Sequence, residues 1–154
     1  MLARLVDPAI EQCERTIALD AANPWAYFLL GWAYEQKGMY GEAVREHGKA
    51  VERSGRSTVM VGALGYALAV SGDRAGAQKT LEELSEKSKH KYVASYEIGM
   101  IHAGLNDADV AFRWFDNAVE ERSGWLVYLR LEPRLDSLRR DPRYEDLLQR
   151  VGVP

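Results

Sequence analysis

Residues 24–57 read PWAYFLLGWAYEQKGMYGEAVREHGKAVERSGRS, and the fold follows from what recurs when this stretch is slid along the chain. Gly31, Gly65 and Gly99 are spaced by 34 residues, and so are Ala43, Ala77 and Ala111. His47, Leu81 and Phe115 hold the same register, as do Ala50, Leu84 and Ala118. Leu30, Leu64 or Ile98 precedes each glycine, and Tyr34, Leu68 or His102 follows it three residues later. Columns in register across three copies mark a repeat protein, in which one unit cannot bury its apolar face alone and stacking buries it.

Each unit holds two helical patterns. PWAYFLLGWAYEQKG is apolar all round, as expected of an inner helix covered on more than one side. Asn23 is its expected N-cap, Pro24 its first residue and Gly38 its stop, with Gly72 in the same place one repeat later. EAVREHGKAVERSG then sets Ala43, Val44, His47, Ala50 and Val51 on one stripe of an amphipathic outer helix. Glycine on the first helix and alanine on the second let the two approach closely. Breaks are expected near residues 39, 55, 72, 89, 106 and 123.

These columns resemble the tetratricopeptide repeat (TPR) family, whose large apolar, Leu-Gly, aromatic, Ala, aromatic and Ala positions fall on this spacing. The resemblance implies an all-α, right-handed helical solenoid of about three and a half repeats plus C-terminal capping helices. The repeats would be residues 24–57, 58–91 and 92–125 of a single domain spanning 1–154. Gly55 and Ser123 stand where the family usually has proline, and His47 and His102 where it usually has an aromatic.

Projected backwards, the register puts Ala9, Cys13 and Thr16 on the second helix of an earlier unit, a half-repeat over residues 1–23. Asp7 and Pro8 are expected to cap that helix. Its apolar residues Leu5, Ile10 and Ile17 are expected to be open, inviting self-association as a homo-oligomer. At the other end, residues 126–154 read as a cap. It consists of a loop, a short helix opened by Pro133, and a helix capped by Asp141 with Leu135, Leu138, Tyr144, Leu147, Leu148 and Val151 apolar. The run EPRLDSLRRDPRYEDLLQRVGVP is similar to the closing segment of TPR arrays in multidomain bacterial regulators. Those arrays sit behind winged-helix, nucleotide cyclase or Ser/Thr kinase domains. This resemblance implies a C-terminal sensory or regulatory domain as an alternative function.

Little in the chain suggests catalysis. The 154 residues carry a formal charge of −3, which leaves no basic footprint for nucleic acid. No apolar run approaches the roughly 18 residues that span a bilayer. The lone Cys13 fits a reducing, cytoplasmic setting. His47, His90 and His102 lack partner ligands at helical spacing, so no metal or other cofactor is expected. Glu82–Glu83, Glu120–Glu121 and the EKSKHKY run (86–92) read as solvated surface.

The functional signal lies on the first helices, which line the concave surface of such a stack. One inward column gives Trp25, Val59 and Val93; the next Phe28, Gly62 and Tyr96; a third Trp32, Tyr66 and Met100, with Gln36 beyond. Trp125 and Glu46 are expected off that surface. The columns lack the lysine, arginine and asparagine with which chaperone-binding TPR domains clamp a carboxylate. An aromatic groove suits an apolar peptide or helix of a protein partner. The other reading is that the chain's own C-terminal segment covers some of these aromatics.

Overall fold

The computed structural model describes residues 3–152, and every regular element among them is helical. The α-helices are α1 (Ala3–Leu19), α2 (Pro24–Gln36), α3 (Tyr40–Arg53), α4 (Thr58–Ser71), α5 (Arg74–Ser88), α6 (Ser95–Gly104) and α7 (Ala108–Glu120). Two 3-10 segments, Gly124–Leu131 and Pro133–Leu138, lead to α8 (Pro142–Val151). Residues 1–2 and 153–154, the outermost ends of the expected half-repeat and cap, lie outside the described residues. Consecutive helices pack as pairs, and the first helices α4 and α6 also lie directly against each other.

Local chemistry sets these boundaries. Asn23 Oδ1 accepts from the Trp25 amide at 3.0 Å, with Pro24 at the first helical position. Asp73 Oδ1 accepts from the Gly76 amide at 2.8 Å, and Asp141 Oδ1 from the Arg143 amide at 3.0 Å. After α4, Gly72 takes φ +93°, a left-handed turn that costs glycine little. One repeat on, Asn106 makes the same kind of turn at φ +61°.

The glycine column is where the helices touch. A Cβ built on Gly31 would lie 2.8 Å from the His47 ring, and one on Gly99 would lie 2.7 Å from Phe115. On Gly65 it would strike Thr80 and lie 2.6 Å from Ile101 Cδ1. Ala43, Ala77 and Ala111 are fully buried on the facing helices, as are Ala50, Leu84 and Ala118. Around these contacts run two apolar clusters. One links Tyr27, Val51, Val61, Leu84 and Ile101. The other links Tyr66, Tyr96, Met100, Phe112 and Phe115 to Leu126, Leu129, Leu135, Leu138, Tyr144, Leu147 and Leu148 of the C-terminal segment.

Four expectations are corrected. Asp7 and Pro8 do not open α1, which runs back to Ala3 with Pro8 inside it. A proline there forfeits one intrahelical bond, while Asp7 pairs at 2.8 Å with Lys37, the residue that follows α2. Residues 124–131 are a 3-10 helix rather than a loop. Three residues per turn bring Leu126 and Leu129 onto one side, where both are buried. Glu46 is 3% exposed rather than on an open outer face, and its carboxylate pairs with Arg45 and Lys49 at 2.9 Å each. Nor are the paired acids simply solvated. Glu83 is bidentate to Arg56 at 2.6 and 2.8 Å, and Glu121 accepts from the Ser95 amide and hydroxyl at the start of α6.

Replacing Gly65 by leucine is expected to destabilise the fold by about 1–3 kcal/mol, the scale of overpacking a tight contact. Gly48, in α3, has nothing within 4 Å of its Cβ position. Gly48→Ala should therefore stabilise by about 0.5–1 kcal/mol. Urea midpoints of the two variants should move in opposite directions.

Candidate functional site

The nine candidate residues do not form one surface. Trp25, Trp32 and Gln36 are exposed, with 49% and 36% exposure for the two tryptophans. Phe28 and Val59 are half-buried. Tyr66, Tyr96 and Met100 are buried in one cluster, whereas Val93 is buried in the other and lines a hollow beside α5, away from these three. The division falls along the stack, with the concave face open over α2 and closed over α6.

What closes it is the chain itself. The second 3-10 segment lies against α6, and Leu129 of the first and Leu135 of the second reach full burial in one cluster with Tyr66, Tyr96 and Met100. Trp125, expected elsewhere, is stacked on Tyr96 with ring centroids 6.3 Å apart and planes 14° from parallel. The Tyr66 hydroxyl donates to the Arg134 carbonyl at 3.4 Å, and the Tyr96 hydroxyl to Glu132 Oε2 at 3.5 Å. Tyr144 of α8 donates to the Leu129 carbonyl at 2.5 Å and holds the segment from behind.

A charged kernel sits within this contact. Glu132 and Arg134 are joined by two bonds of 2.7 and 2.8 Å. The Arg134 guanidinium lies 5.4 Å from the Trp32 ring centroid and 5.3 Å from that of Tyr66, a cation over two aromatic faces. Beneath it Glu97 is buried against Gly62, whose missing side chain makes the room. Burial pushes the Glu97 carboxyl up to about 7, opposed by the positive charge of Arg134. Burial likewise raises the Tyr66 and Tyr96 phenols. Glu35 of α2 is buried too, with its Oε1 2.9 Å from His47 Nε2. Glu35 Oε2 and His47 Nδ1 have no hydrogen-bond partner.

Beside the open part of the face is a cavity of about 500 Å³ between α1, α2 and the end of the first 3-10 segment. Leu5, Val6, Ala9, Gln12 and Cys13 line it from α1, Leu29, Trp32, Ala33 and Gln36 from α2, and Leu131 and Pro133 from the far side. None of these is charged. Only Trp32 and Gln36 among the nine candidates take part. A second hollow of about 550 Å³, lined by Tyr40, Tyr66, Arg74 and Ser137 among others, lies along the other margin of the 3-10 segment.

Sequence reasoning missed Leu29 because it sits one step off the aromatic columns, and Cys13 because it lies on a second helix, outside those columns. It missed Glu132 and Arg134 because a Glu-Pro-Arg triplet in a cap carries no periodic signal. Of the N-terminal apolar residues, Leu5 is exposed as expected, but Ile17 packs onto the core. Among the described residues no group of three or more His, Cys, Asp or Glu is placed to hold a metal ion. No helix among them is long and apolar enough to cross a membrane.

Glu97 makes the site's stability depend on pH. Its folded-state value of about 7 lies above its ordinary 4.5, so the folded chain holds this proton more tightly than the unfolded chain. The group's contribution is complete below 4.5 and is lost as pH rises through 7. Glu97→Gln keeps the neutral form at every pH. The variant should gain up to about 3 kcal/mol over wild type between those limits, read from urea midpoints at successive pH values. A gap that narrows with rising pH would contradict this placement.

Against known families, two models described as tetratricopeptide repeat match the chain, one over residues 13–45 and one over residues 63–124. Comparison with curated proteins gives no match, and comparison with solved structures gives none.

Proposed function

The chain belongs to the tetratricopeptide repeat family, whose repeats generally mediate protein–protein interaction, and on that premise we propose that it holds an apolar segment of a protein partner on the open, N-terminal part of its concave face. The observation that carries this is the exposure of Trp25, Leu29 and Trp32 together, beside a cavity lined by no charged side chain. A large aromatic kept in water is unfavourable unless something covers it, and such residues dominate binding energy when they are covered. Tyr66, Tyr96 and Met100, covered by the C-terminal segment, serve the fold, and Phe28 backs Trp25 edge-on at 5.4 Å.

A second reading is that of a regulatory domain whose groove holds a segment of its own polypeptide. The seating of Arg134 over Trp32 and Tyr66, with Glu132 accepting from Tyr96, favours it, since release of that segment would enlarge the binding face.

The test is to select binders for the full chain from a displayed library of 15-residue peptides. The tightest is then titrated against wild type, Trp32→Ala and the outer-face variant Lys79→Ala. A buried aromatic anchor contributes about 2 kcal/mol or more, so Trp32→Ala should weaken binding about thirtyfold or more and Lys79→Ala should not. Loss on Lys79→Ala with full affinity in Trp32→Ala would place recognition on the convex side.

A further inference from the structure

The cavity between α1 and α2 can be compared with the rest of the chain position by position, because the repeat register maps each lining residue onto a buried counterpart. Ala9 corresponds to Ala43, Ala77 and Ala111, all fully buried under a first helix. Cys13 corresponds to His47 and Phe115, the side chains that press on Gly31 and Gly99. Gln12 corresponds to Thr80, which presses on Gly65. Each of these three α1 residues thus stands where other second helices receive a first helix.

The α2 wall gives the same answer independently. Helix α6 meets the preceding first helix, α4, through Glu97 on Gly62, Ile101 on Gly65, and Gly104 on Tyr66 and Ala69. Stepping back two repeats from 97, 101 and 104 gives Leu29, Ala33 and Gln36, all of which line the cavity. Both walls therefore carry the contacts that elsewhere enclose a first helix, yet Ala9, Leu29 and Gln36 are exposed.

We propose that this cavity is the seat of a helix of a protein partner, an apolar α-helix of three to four turns that packs on α1 and α2 as first helices pack elsewhere in the chain. It runs antiparallel to α1, as short connections make each first helix run to its second. It presents a small residue to Cys13, as Gly31 does to His47, and an uncharged face to Leu29 and Ala33. A second copy of this chain is the poorer occupant. Its own first helices α2, α4 and α6 are already engaged, through Gly31, Gly65 and Gly99, by their own second helices. This inference rests on the partner-binding reading and specifies what the partner must look like.

Cys13 is the chain's lone cysteine and lines the seat, so it reports on occupancy. The probe is a peptide copying residues 92–106 with Gly99→Cys, its thiol activated as a mixed disulfide with 2-thiopyridine. Attack by the Cys13 thiolate joins peptide to protein and releases pyridine-2-thione, read by absorbance and intact mass. Burial, with Glu14 nearby, pushes the Cys13 thiol up, so exchange without docking is slow. The control peptide keeps the glycine and carries Glu97→Cys, which faces away from α1. The Gly99→Cys peptide should react at least tenfold faster than the control. Ala9→Glu, at an exposed position and checked for helical content by circular dichroism, should abolish the difference. Equal rates for both peptides, no reaction with either, or a sedimenting dimer that blocks labelling would each overturn the proposal. If selected peptides bind through Trp32 while register-matched labelling fails, the helix seat is wrong and partner binding stands. If labelling is register-matched but Trp32→Ala costs selected peptides nothing, the helix seat stands and the Trp32 face is not where those peptides bind.

Discussion

The close approach of each first helix to its second fixes the rest of the molecule. Where Gly31 meets His47 and Gly99 meets Phe115, the absence of one side chain lets a ring fill the space between two backbones. That contact recurs every 34 residues, so it sets the angle and separation of successive pairs as well as the packing within them. Everything on the concave face inherits its position from this spacing. At Gly65 the partner is Thr80 with Ile101 rather than Leu81, so the register conserves the approach while the residue that answers it shifts by one.

A stack of this kind has an open end, and the chain closes one with its own residues. The C-terminal segment leaves the solenoid axis, turns along the concave face in 3-10 form, and returns as α8 against α7. Arg143 and Arg150 clamp α8 to Asp109 and Asp116 of α7 at 2.8 and 2.6 Å. Burying Arg134 and Glu132 in this contact carries a desolvation cost that their mutual bonds offset only when the geometry is good. Glu97 lies beneath this pair, and the positive charge of Arg134 opposes the rise that burial imposes on its carboxyl.

Much of the architecture was legible in the sequence because it is periodic. The glycine and alanine columns, the breaks after Gly38 and Gly72, and the Asp141 cap each depend on residues within one or two helical turns. The nine groove candidates also came from periodicity, which locates a face without saying what lies on it. Tyr66, Tyr96 and Met100 were expected on the inward face, yet the segment that bonds Tyr66 and Tyr96 arrives from 68 and 36 residues away. No local pattern announces such a contact. The cavity between α1 and α2 was half legible. The register put Ala9 and Cys13 on a second helix, but Leu29 and Gln36 gained meaning only once α6 had shown which residues face a neighbouring first helix.

The central claim is that the concave face is divided, closed over α6 by the chain's own C-terminal segment and open over α2. Hydroxyl-radical footprinting of the intact protein, read residue by residue by mass spectrometry, addresses it directly. The account predicts that Trp25 and Trp32 are oxidised readily while Tyr66, Tyr96 and Met100 are protected as well as the core residue Met60. Oxidation of Tyr96 and Met100 at the rate of Trp25 would contradict it, and would mean that the C-terminal segment does not lie in the groove.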